Sequence, residues 1–191
     1  MNFPKVYLAS GSPRRRELLT QIGVDFSVLS VEVDETYFDT ETPREYVQRV
    51  AIAKAKAGRQ SLTRQQSAPV IGADTSVIVD NQVLGKPKDN SDSRAMLQLL
   101  SGRSHQVLTS VALVTELETS YLISNSTVHF SELSDDDIAW YIATQEGNDK
   151  AGSYAVQGLA AMFIEQIQGS YSGIMGLPLR ETGLLLKQLK G

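Results

Sequence analysis

The apolar positions change their period repeatedly along the chain. Val6-Tyr-Leu-Ala9 closes a short run that predicts a buried strand from Lys5 to Ala9. Helical spacing then predicts a helix from Arg15 to Ile22, closed by Gly23 as a left-handed cap. A strand from Phe26 to Val33 leads to the acidic turn Asp34-Glu35. Thr42-Pro-Arg-Glu45 is a capping box with proline at the first helical position, so a helix runs from Pro43 to about Arg59, followed by a polar stretch from Gln60 to Ser67. Val70 to Ala73 reads as a buried strand, and Ser76 to Leu84 as a hairpin turning at Asp80-Asn81. A helix from Ser91 to Leu100 ends at Gly102, before two long strands, Gln106 to Val114 and Thr119 to Phe130. Ser134 caps a helix reaching Thr144. The loop from Gln145 to Ser153 precedes strands near Tyr154, Phe163 and Tyr171, and a last helix runs from about Leu179 to Leu189. No repeat or low-complexity linker interrupts this alternation, which predicts an α/β chain with a mixed sheet and flanking helices.

At 191 residues, 41% hydrophobic and 21% charged, the chain is long enough for one domain over residues 1–191, with a sizeable core. The formal net charge of −4 argues against a general nucleic-acid binder, so any basic cluster is local chemistry. There is no cysteine, which excludes disulfides, thiolate metal sites and a cysteine nucleophile, and two histidines are too few for a histidine cage. The first residues lack a long apolar stretch with a cleavage signal, and no apolar run nears the ~20 residues that span a membrane. A cytoplasmic protein without a membrane partner is the expectation.

Candidate chemistry begins with Ser10-Gly-Ser-Pro-Arg-Arg-Arg16, between the first strand and the first helix. Free N–H groups at a helix start attract anions, and the guanidinium forks of Arg14 and Arg15 match phosphate oxygens two at a time. A solvated helix start or a Ser-Pro phosphorylation acceptor would carry the same residues. In Gly72-Ala-Asp74-Thr75 a carboxylate follows an apolar strand at a glycine-marked bend, where it either enters a crevice or opens an Asx-turn. Asp34 and Glu35 end the preceding strand in the same way. If these segments converge, two carboxylates could hold one Mg²⁺, with water and phosphate oxygens completing an octahedron. Lys54 shares a helical face with Val47, Val50 and Ala51, so its ammonium either snorkels to water or meets a phosphate in a cleft. Lys86 precedes Pro87 and is held extended. No G-x-x-x-x-G-K-[ST] phosphate loop occurs.

Together these residues resemble the Maf family of nucleoside triphosphate pyrophosphatases, whose N-terminal signature is similar to Leu8-Ala-Ser-Gly-Ser-Pro-Arg-Arg15. Further matching segments are Asp34-Glu35, Lys54-Ala-Lys56, Gly72-Ala-Asp-Thr75, Gly85-Lys-Pro87, Leu100-Ser-Gly-Arg-Ser-His105, Asp149-Lys-Ala-Gly152, Tyr154-Ala-Val-Gln-Gly158 and Gly176-Leu-Pro-Leu179. The resemblance departs at Ala160, where the family usually has a glycine.

The resemblance implies two lobes around a central cleft, in a fold similar to the inosine triphosphate pyrophosphatases, and commonly a homodimer. It implies cleavage of a nucleoside triphosphate between the α and β phosphates with a divalent cation, Mg²⁺ or Mn²⁺. By position, Asp74 would accept the proton of the attacking water, and Arg14, Thr75 and Gln157 would set substrate choice. Glu35 and Asp74 would hold the metal, while Ser10, Arg14, Arg15, Lys54 and Lys86 stabilise phosphoryl charge. Tyr154-Ala-Val-Gln157-Gly resembles the subgroup acting on dTTP and UTP rather than the one acting on 7-methyl-GTP, and an amide suits the carbonyl and ring N–H edge of those pyrimidines. A 7-methyl-GTP pyrophosphatase, a phosphatase releasing orthophosphate and a non-catalytic nucleotide-binding regulator of division are the alternatives.

Overall fold

The computed structural model describes residues 3–63 and 66–189. Its sheet is built from β1 (Val6–Ala9), β2 (Phe26–Leu29), β3 (Val70–Val79), β4 (Gln82–Leu84), β5 (Ser104–Val114), β6 (Thr119–Phe130) and β7 (Ile164–Gln168). The helices are α1 (Pro13–Gln21), α2 (Pro43–Ser61), α3 (Asn90–Leu100), α4 (Asp135–Ala143), α5 (Tyr171–Met175) and α6 (Leu179–Gln188), with short 3₁₀ turns at Ala151–Ser153 and Leu159–Phe163. The sheet is seven-stranded and mixed, ordered β2-β1-β3-β5-β6-β7 with β4 beside β3. β1 runs parallel to β2 and β3, and all other pairings are antiparallel.

Short-range signals produce the elements they promise. Thr42 and Glu45 close a capping box on α2, as Ser134 and Asp137 do on α4. Asp80 and Asn81 take positive φ angles of 49° and 63° and turn β3 into β4, and Gly23 closes α1 at φ 70°. Helix α1 begins at Pro13 rather than Arg15, because proline's fixed φ suits the first helical position.

The strands depart further from expectation. β2 stops at Leu29 instead of Val33, since its partner β1 ends at the Ala9–Leu29 pair and leaves nothing to hydrogen-bond beyond it. The expected break between Ala73 and Ser76 is absent. β3 runs unbroken for ten residues because β5 pairs with it from Val70–Val114 to Ile78–Gln106, polar middle included. Tyr154 follows two left-handed residues, Gly152 and Ser153, and is extended but pairs with no strand among the described residues. Tyr171 opens α5 rather than a strand, because the Ser170 hydroxyl accepts the Gly173 N–H and caps a helix there. Within the expected polar stretch, Arg64 and Gln65 lie outside the described residues.

Two main cores form the lobes, and β3 and β5 run through both. Ile71, Ala73, Val111 and Leu113 pack with β1, α1 and α6, whereas Val77, Val79 and Val107 pack with α3, α4 and Phe130. Helix α2 covers the opposite sheet face through Ala51, Ala55 and Val47. The polar centre of β3, Asp74-Thr75-Ser76, lies at the junction of the two cores. On the edge facing away from β5, β1 pairs only with Val70 and Ile71, and β4 only from Val77 onward. The intervening stretch of β3 therefore has no strand beside it, and a cleft opens there, at the carboxyl end of a parallel strand where α/β folds usually bind ligands.

Candidate active site

The cleft has a volume of about 620 Å³, large enough for a nucleotide. Ser10, Arg14, Arg15, Glu35, Lys54, Asp74, Thr75, Lys86 and Gln157 all line it, so every site residue expected from the sequence is gathered in one place.

Asp74 is the deepest carboxylate, 6% exposed, and sits in the middle of β3 rather than at the strand end that its glycine suggested. Gly72 serves another purpose. A Cβ at that residue would stand 2.4 Å from the Ala51 carbonyl oxygen and 2.5 Å from the Ala55 nitrogen, so its absence lets α2 lie directly on β3. That contact brings Lys54 Nζ to 2.9 Å from Asp74 Oδ1. The same ammonium lies 3.1 Å from Glu35 Oε1, whose side chain is half exposed. Lys54 thus neither snorkels to water nor waits unpaired for a phosphate: it joins the two carboxylates. Burial raises the Asp74 pKa above the usual carboxylate value, while Lys54 and Arg15 pull against that shift.

The Glu35 segment is held from α2 by two residues that sequence reasoning missed. Tyr46 Oη donates to the Glu35 carbonyl oxygen at 2.9 Å, and burial followed by the Asp74 and Glu35 charges pushes its hydroxyl pKa up to about 12, keeping it a donor. Arg49 donates to the carbonyl oxygens of Asp34 and Thr36 and to the Glu41 carboxylate. Their spacing of three places both on one helix face, but only the fold shows what that face meets.

The two arginines divide their work. Arg15 donates from Nε to the Gly176 carbonyl oxygen at 2.8 Å, from Nη1 to Ser10 Oγ at 3.1 Å and from Nη2 to Thr75 Oγ1 at 3.4 Å. Burial presses its pKa below the usual guanidinium value, with Asp74 opposing the shift. Arg14 is tethered only through Nε, to the Met175 carbonyl oxygen at 3.3 Å, so among the described residues its Nη groups have no partner. The Ser12 side chain does not cap α1, which leaves first-turn N–H groups for an incoming anion. Lys86 and Gln157 stand exposed on the far rim, near the ion-paired Asp149 and Lys150.

For a divalent cation the chain offers Glu35 and Asp74. Among the described residues no group of three or more histidine, aspartate or glutamate side chains is placed to hold a metal. Two carboxylates that already converge on one ammonium nonetheless fit a hard cation that takes its remaining oxygens from water and phosphate.

Residues 5–189 match the family described as Maf-like protein. The chain belongs to the Maf-like family. Its relatives include a dTTP/UTP pyrophosphatase of Alkalilimnicola ehrlichii, 50% identical over 98% of this chain and 94% of that one. Another, from Aromatoleum aromaticum and of the same name, is 51% identical over 96% and 94% of the two chains. The solved structure of the Staphylococcus aureus Ham1 protein shares the fold, with a TM-score of 0.52 and 16% identity over 98% of this chain and 99% of that one. Ala160, the position at which the sequence departs from the resemblance, is fully buried in the core cluster that also holds Phe163. No described helix is long and apolar enough to cross a membrane.

Proposed function

We propose that this Maf-like protein is a nucleoside triphosphate pyrophosphatase that hydrolyses dTTP and UTP to the monophosphate and pyrophosphate. The carrying observation is a buried carboxylate, Asp74, at the centre of a cation-lined cleft. Relatives at about half identity over nearly their whole length, each named dTTP/UTP pyrophosphatase, support the substrate.

In this reading the triphosphate lies against the start of α1. Arg14 offers its free Nη groups, and Ser10 and Arg15 form the wall behind them. Asp74 accepts the proton of a water attacking the α phosphorus, and its burial makes it a stronger base than a solvated aspartate. Lys54 holds the Asp74 carboxylate in place and, with Lys86, opposes the charge that gathers on the departing pyrophosphate. Glu35 and Asp74 would hold a divalent cation, which when bound supplies Lewis-acid stabilisation of phosphoryl oxygens and a more acidic water. Gln157 presents an amide donor and acceptor to the pyrimidine edge, with Thr75 on the adjacent wall.

The deciding assay measures pyrophosphate and orthophosphate from dTTP, UTP, ATP, GTP and 7-methyl-GTP with Mg²⁺ or Mn²⁺. Pyrophosphate from dTTP and UTP well ahead of the purines is expected. Orthophosphate as first product, preference for 7-methyl-GTP, or binding without turnover would each replace this reading.

A further inference from the structure

Gln157 sits at the centre of a tight turn, closed where the Gly158 N–H donates to the Ala155 carbonyl oxygen at 3.0 Å. Its side chain is exposed and has no hydrogen-bond partner among the described residues, so only the backbone of the turn aims it. That backbone is fastened from outside the cleft by one carboxylate. Glu146 Oε2 accepts the Leu159 N–H at 2.9 Å, and Oε1 lies 3.5 Å from the Ala160 nitrogen, so Glu146 caps the start of the 3₁₀ turn after Gln157. Oε1 also accepts from Tyr141 Oη at 2.9 Å, and that hydroxyl in turn accepts the Ala155 N–H at 3.2 Å. One acid thereby holds the turn on both sides of Gln157, directly at Leu159 and through a buried tyrosine at Ala155.

The approach needs a glycine between the two anchor points. A Cβ on residue 158 would stand 2.2 Å from Glu146 Oε2 and 2.3 Å from Oε1, so any other residue there would expel the carboxylate. Among the described residues Glu146 forms no ion pair, and its carboxylate accepts from the Tyr141 hydroxyl and these backbone N–H groups. Hydrogen bonds to an ionised acceptor are the strong ones, and they suit a clamp on a loop.

We infer that Glu146, acting through Tyr141 and the Leu159 amide, is a positioning residue that orients Gln157 and so sets the preference for pyrimidine over purine triphosphates. The inference rests on the reading that Gln157 faces the base.

The test compares Glu146→Gln, Tyr141→Phe and Gln157→Ala by kcat and KM for dTTP and ATP, with thermal melting as a control. The first two variants keep the shape of the side chain. Glu146→Gln is expected to raise KM for dTTP about tenfold with kcat within about twofold, and to leave ATP turnover nearly unchanged, so that the dTTP-to-ATP preference falls about tenfold. Tyr141→Phe should move the preference the same way. In a Gln157→Ala background Glu146→Gln should cost little more, because the amide it aims is already gone. Equal losses for dTTP and ATP, or additive losses in the double variant, would assign Glu146 to stability alone and overturn the inference. If Gln157→Ala abolishes the preference while Glu146→Gln and Tyr141→Phe retain it, the clamp fails and the base-pocket reading stands. If Gln157→Ala leaves the preference intact, both fall.

Discussion

Lys54 Nζ stands 2.9 Å from Asp74 Oδ1, an ion pair between α2 and β3 that exists because residue 72 carries no side chain. Charge and close packing are therefore coupled: the glycine determines how near helix and strand can come, and that distance determines whether the lysine reaches the acid.

Gly72→Ala should separate α2 from β3, since the new methyl group would meet backbone atoms at 2.4 and 2.5 Å that cannot rotate away. A loss of roughly 1–3 kcal/mol is expected from overpacking, read by urea denaturation. Activity should fall further than the folded fraction does, because the shift also moves Lys54 from Asp74. A variant as stable and active as the parent would show that the contact is not needed.

Asp74→Asn should lower kcat at least about a hundredfold while calorimetry still detects dTTP binding, because the cations that hold phosphate remain. Lys54→Met tests the electrostatics. Burial already lifts the Asp74 pKa and Lys54 opposes the lift, so removing the ammonium makes the carboxylate harder to ionise. The acid limb of kcat/KM should move to higher pH. A limb that stays in place would mean another group is titrating.

The arginines should separate in their effects. Arg15→Ala removes hydrogen bonds to Gly176, Ser10 and Thr75 and should cost about 2–4 kcal/mol of stability as well as activity. Arg14→Ala removes one tether, so the melting temperature should change little while KM for the nucleotide rises. Matching stability losses in both variants would contradict this division.

His105 makes the fold sensitive to acid. Burial, with a smaller contribution from His129, lowers its pKa from 6.5 to about 4; Nε2 lies 2.7 Å from Tyr154 Oη, and Nδ1 is buried without a partner among the described residues. Between those two pH values the unfolded chain takes up a proton that the folded chain refuses, so stability falls as pH falls, by about 3 kcal/mol once pH 4 is reached. Urea midpoints from pH 7 to pH 4 should show this slope, and His105→Gln should remove it. An unchanged slope in that variant would place the proton uptake elsewhere.

Interactions within about four residues of one another were legible before any fold was known. The capping box at Thr42, the Ser134 cap, the Asp80-Asn81 turn and the Gly23 cap each depend on neighbours along the chain, so local chemistry is enough to determine them. The cationic loop from Ser10 to Arg15 and the separate acidic segments were likewise visible as residue types suited to phosphate and metal. Their meeting place was not. β3 passes straight through Asp74 because β5, distant in sequence and pairing Asp74 with Ser110, supplies hydrogen bonds to its polar centre, whereas the same residues read locally as a bend. Glu35 meets Asp74 only across Lys54, and the division between Arg14 and Arg15 is made by carbonyl oxygens 161 positions away. The sequence by itself determined the starts of α2 and α4, the turns at Gly23 and Asp80-Asn81 and which side chains could do the chemistry, because those depend on short-range sterics and hydrogen bonds. Tertiary structure alone decided which carboxylate is buried, which arginine stays free and which glycine admits a helix, because burial and distance belong to the packed chain and not to any segment of it.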